Sequence, residues 1–162
     1  MDILDRLIAH DTWTTRQLLD ACEGLSDDLL DKEFEIDHRS LRKTFLHMIE
    51  NLETWTDLIH ERDVQSMQGN SISELRQRLV NASRDFTNLA RRVARENRFD
   101  DSFWDVFDNP PRLKTFGGAI GHVLTHNMHH RAQIMYLMEK VGIQDHIEGD
   151  LLSWESQAFG WA

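Results

Sequence analysis

His126 and His130 stand four residues apart, and side chains at i and i+4 project from the same face of an α-helix. Two imidazoles one turn apart are ready-made ligands for a divalent metal ion. The neighbourhood repeats the chemistry: His122, His126, His129 and His130 are four of the chain's nine histidines. On a wheel turning about 100° per residue, Ala119, Val123, Ile134, Leu137, Met138 and Val141 mark the buried side of this segment, and His126 and His130 share that arc. His122 falls at its edge and His129 further toward solvent. Imidazoles buried on an apolar face need partners for their nitrogens, which a shared ion or paired carboxylates supply. The plain alternatives are hydrogen-bonded core histidines, or a surface chelator without function.

A third ligand must come from another element. His47, near the middle of an earlier helical stretch, lies at the rim of that stretch's apolar arc and leads the candidates. Asn51 shares its edge, where it either orients a ligand or makes an interhelical hydrogen bond. His10 and His60 are weaker, His60 because it sits well off the apolar arc. Three neutral imidazoles around Zn²⁺ or Ni²⁺ leave a position open for water or substrate, as catalytic sites do. Two other metal chemistries fail on spacing. A zinc-protease helix needs Glu directly after the first His, where this chain has Asn127. A carboxylate di-iron centre needs Glu-x-x-His on two helices, which the chain does not offer.

The elements that must position these residues are helices. Two prolines, adjacent at Pro110-Pro111, and eight glycines mostly at segment ends leave long uninterrupted windows, and strand alternation is nowhere sustained. Residues 2–22 place Ile3, Leu4, Leu7, Ile8, Trp13, Leu18 and Leu19 at mostly helical spacing, with Gly24 as a stop. A second helix starts near Asp37 to Ser40 and runs to about Arg62 through Leu41, Phe45, Met48, Leu52, Trp55 and Ile59. After Gly69-Asn70, Ser71 or Ser73 opens a third, carrying Leu75, Leu79, Ala82, Phe86, Leu89 and Val93. Residues 97–113 form a long connection with aromatic residues, and a fourth helix spans about Thr115 to Val141, capped by Gly142. A tail over 145–160 holds a short fifth helix. The expected fold is all-α, a four-helix bundle with a short additional C-terminal helical segment, forming a single domain over 1–162.

Composition narrows the partners. A formal charge of −10 disfavours nucleic acid, whose phosphates need clustered Lys and Arg, and the one basic cluster, Arg84 to Arg98, is broken by Asp85 and Glu96. The single cysteine, Cys22, permits no internal disulfide, and near the end of the first helix it reads as a packing residue rather than a nucleophile. The N-terminus lacks a signal-peptide pattern and no apolar run is long enough for a membrane span, so the expected location is the cytoplasm, with no membrane partner. Apolar residues of the tail, Trp154, Phe159 and Trp161, fit a homodimer contact as well as packing within the chain.

Three segments together resemble a known family over nearly the whole chain: His10-Asp-Thr-Trp13, Ser40 to Trp55 with His47 eight residues before the aromatic, and His122 to Gln133 with its His126-x-x-x-His130-Arg-x-Gln133 core. The chain resembles the DinB/YfiT-like superfamily of four-helix-bundle metalloproteins. The resemblance implies that His47, His126 and His130 bind a divalent metal, commonly zinc or nickel. The departures are Ala132, where the family often has Gly, and Asn127, where it often has Glu or Gly, and neither replaces a ligand. The resemblance also implies metal-dependent transfer or isomerisation chemistry that uses low-molecular-weight thiols such as bacillithiol or mycothiol. The first functional reading is a thiol S-transferase acting on small electrophiles, since an ion with an open position lowers a thiol's pKa. The alternatives are a metal-dependent hydrolase and a non-catalytic stress protein that binds metal or small molecules. His129 and Gln133 are candidate outer-shell or substrate groups. Arg131 points away from His126 and suits a structural salt bridge.

Overall fold

A computed structural model describes residues 1–65 and 67–160. Six helices and one short hairpin follow in the order α1 (Ile3–Ala21), α2 (Asp27–Leu30), α3 (Leu41–Ile59), α4 (Ile72–Arg95), β1 (Ser102–Asp105), β2 (Arg112–Thr115), α5 (Phe116–Lys140) and α6 (Leu151–Phe159). The long helices α1, α3, α4 and α5 form the bundle. α3 packs between α4 and α5, and α1 between the same two, so α1 lies diagonally across from α3. The fold is all-α apart from the hairpin.

The helix ends sit where local chemistry places them. Ser40 caps α3 through Lys43 N–H, and Thr115 caps α5 through Gly118 N–H. Ser71 and Glu74 form a reciprocal capping box on α4. At the far end of α5, Gly142 takes φ +98°, and the Ile143 and Gly142 amides close onto the Met138 and Glu139 carbonyls, the Schellman arrangement that glycine permits. All six apolar residues expected of α4 are buried, as are five of the six expected of α3, with Trp55 half-buried. In α1, however, Ile3 and Leu7 face solvent.

Two short elements depart from the sequence reading. α2 is a single turn capped by Ser26. The 97–113 connection holds a hairpin pairing Ser102 with Thr115 and Asp105 with Arg112. Strands of four residues are too short to display an alternation that rises above chance. α6 packs on α1, with Trp154 4% exposed, so this member of the expected dimer patch is used inside the chain. Trp161 lies outside the described residues. Among the described residues no helix is long and apolar enough to cross a membrane.

A buried polar chain crosses the bundle beside the histidine-rich face. Arg131 of α5 pairs with Asp11 of α1, both almost fully buried. Asn127 donates to Asp11 at 3.2 Å and accepts from Asn51 of α3 at 3.3 Å, tying three helices together. Asp11, Arg131, Asn127 and Asn51 thereby partner one another, as burial of polar groups demands.

Candidate metal centre

Because α3 and α5 are neighbours, stripes on their facing sides meet. His47 Nε2 lies 2.8 Å from His126 Nε2, and His130 Nε2 lies 3.0 Å from that same nitrogen. The rings stand edge-on, with centroids 5.1, 4.3 and 4.8 Å apart for His47–His126, His126–His130 and His47–His130. The three residues that spacing and resemblance selected are therefore brought together. His130 is fully buried, and His47 and His126 are half-buried.

The protons on these rings are constrained. His130 Nδ1 lies 2.7 Å from Gln133 Oε1, a carbonyl that can only accept, so Nδ1 carries the proton and Nε2 presents a lone pair. His126 Nε2 then faces two ring nitrogens and can donate to only one of them. Neutral rings therefore leave at least one close nitrogen–nitrogen contact without a hydrogen bond, which a cation would relieve. Nitrogen ligands about 2.0–2.1 Å from a tetrahedral zinc lie roughly 3.3 Å apart, a few tenths of an ångström wider than these contacts. The donor set fits a divalent ion of borderline softness such as zinc or nickel.

Electrostatics favours the ligating form. Burial, reinforced by the surrounding imidazoles, pushes His47 and His126 down to about 4. Burial also lowers His130, against the opposing effect of its hydrogen bond to the Gln133 carbonyl. All three rings are neutral near pH 7, with lone pairs available for an ion.

The other candidates separate cleanly. Gln133 also donates to exposed His129 across 3.0 Å, so it links His129 to His130. Asn51 takes the interhelical alternative and bonds to Asn127. Arg131 makes the structural salt bridge expected of it. His10 bonds to the Gly149 carbonyl at 2.9 Å, and His60 accepts from Arg92 at 3.2 Å. His60 lies thirteen residues along α3 from His47, about 20 Å at the helical rise. A cavity of about 760 Å³, lined by His60, Arg92, Arg98 and several carboxylates, is at that remote end.

Nearer the cluster, His122 stacks on His126 with centroids 4.8 Å apart and meets Trp55 edge-on at 5.2 Å. With Trp55, Leu113, Gly118 and Ala119 it lines a cavity of about 430 Å³ one helical turn from His126. Sequence reasoning missed His38 altogether. One ring nitrogen each from His38, His47 and His130 lie within 4.8 Å of one another, and a ligand atom each from Asp37, His129 and His130 do likewise. The only signal was proximity to the Ser40 cap, since a residue outside a helix has no periodic phase to read.

Curated proteins offer no match to the chain. The family model described as the DinB family matches residues 1–152, which span every residue of the cluster and all four bundle helices. On that match the chain belongs to the DinB family.

Proposed function

We propose that His47, His126 and His130 hold a divalent ion, zinc or nickel, and that the protein is a metal-dependent enzyme transferring a low-molecular-weight thiol to a small electrophile. The observation that carries the reading is the convergence of three Nε2 atoms, one of them stripped of its proton by the Gln133 carbonyl. An ion held there supplies Lewis acidity that makes a thiol available as thiolate near neutral pH.

The chain's own residues supply the rest. Cys22 is completely buried and its thiol is pushed up to about 12, so the reacting sulfur must arrive as a co-substrate. Gln133 fixes the His130 ring and its tautomer. The cavity between Trp55 and His122 gives an electrophile a partly aromatic wall beside the cluster. His122, stacked on His126, is the ring between cavity and cluster.

The test begins with metal analysis of untagged protein, followed by assay of the loaded protein against a panel of electrophiles with several thiols. Roughly one equivalent of zinc or nickel is expected, with transfer abolished in His47→Ala. A wild-type protein that binds no ion would end the metal reading. Bound metal with no transfer to any electrophile would end the transferase reading.

A further inference from the structure

We propose that His38 is a fourth imidazole ligand to the ion, supplied by the turn that precedes α3. The inference rests on the reading of His47, His126 and His130 as ligands and adds a donor from outside the helices.

Two groups of imidazoles have His47 and His130 in common. His126 completes one through contacts of 2.8 and 3.0 Å, and His38 completes the other within 4.8 Å. The His38 ring stacks on His47 with centroids 3.9 Å apart and 24° between planes, and stands edge-on to His130 at 4.9 Å. A ring nitrogen in this position would be within reach of an ion held by His47 and His130. The Asp37 carboxylate, 3.7 Å from His38 Nε2, places a negative charge beside the imidazoles.

The turn holds the ring in place. Phe34 N–H bonds to the Arg39 carbonyl at 2.8 Å, Arg39 N–H to Ile36 at 2.9 Å and Ser40 N–H to His38 at 2.8 Å. Arg39 adopts φ +69°, a left-handed conformation unusual for a side chain of its size, and its guanidinium is paired with Glu33. The buried Ser40 then caps α3, the helix that carries His47. Loop ligand and helix ligand are thus joined through one cap. The Asp37, His129 and His130 set is less suited to an ion, because His129 Nε2 and His130 Nδ1 are both bonded to Gln133. Four imidazoles still admit a substrate atom, since zinc sites expand to five ligands.

The experiment uses the full untagged chain with Zn²⁺ and Co²⁺ as probes. His38→Ala is expected to weaken Zn²⁺ binding at least about tenfold, in the range seen when groups around a metal site are lost, and to alter the visible Co²⁺ spectrum. In wild-type protein, long-range proton–nitrogen spectra should show a His38 ring nitrogen shifting on Zn²⁺ addition together with those of His47, His126 and His130. The wild-type spectra stand even if the variant misfolds. An unmoved His38 resonance, or a folded His38→Ala with unchanged affinity and Co²⁺ spectrum, overturns the inference while weakened binding in His126→Ala leaves the three-histidine reading standing. Absence of Zn²⁺ binding by wild-type protein, or unchanged affinity in His126→Ala, overturns that reading and the inference with it.

Discussion

At the scale of single residues, the site is a problem in proton placement. His47 and His126 sit near 4 in the folded, metal-free protein because burial and neighbouring imidazoles resist a charge, whereas an unfolded histidine titrates near 6.5. Between those values the unfolded chain binds more protons than the folded one, so stability rises with pH across the window. The penalty is absent above about 6.5, grows as pH falls and is complete below about 4. Urea titrations of metal-free protein from pH 4 to 7 should show this rise, with a shallower slope in His126→Gln. A slope equal in the two proteins would contradict the assignment. Helical phase made His126 and His130 legible because both lie on one long α5, and His47 stood at the rim of a regular apolar arc. His38 was invisible for the complementary reason: only the folded turn brings it against His47.

At the scale of elements, α5 is held against both neighbours by polar groups in an apolar interior. Asp11, Asn127, Arg131 and Asn51 form a strut in which each group depends on the next. Removing Asp11 leaves the Arg131 charge buried without its partner, and Asp11→Ala should cost about 3–5 kcal/mol in urea unfolding. The paired replacement Asp11→Leu with Arg131→Met should cost distinctly less, because it removes both charges together. Equal losses in the two proteins would point to packing volume instead. The long helices were readable because apolar spacing, caps and the Gly142 stop agreed with one another. The strut was legible only in part, in the suitability of Arg131 for an ion pair and of Asn51 for an interhelical hydrogen bond, because Asp11 is 120 residues from Arg131 in sequence. The hairpin was hidden by the brevity of its strands.

At the scale of the whole molecule, the proposed metal binding would be linked to folding, since the three nitrogens converge only when α3 and α5 pack. An ion present at a hundred times its dissociation constant adds about 2.7 kcal/mol of stability, and for a chain of this size that raises the melting temperature by roughly 5–10 °C. Zn²⁺ should produce this rise in wild-type protein and little or none in His126→Ala, as followed by thermal denaturation. A rise of the same size in the variant would place the stabilising ion elsewhere. The net charge of −10 favours cations in the surrounding solution and disfavours anionic partners. The buried Cys22 has a practical consequence: with its sulfur shielded and its thiol pushed up to about 12, the folded protein should be silent toward thiol-specific reagents. One new cysteine on the exposed stripe of α5, at Thr125 or Ala132 for example, would accept a fluorescent label selectively without first replacing the native one.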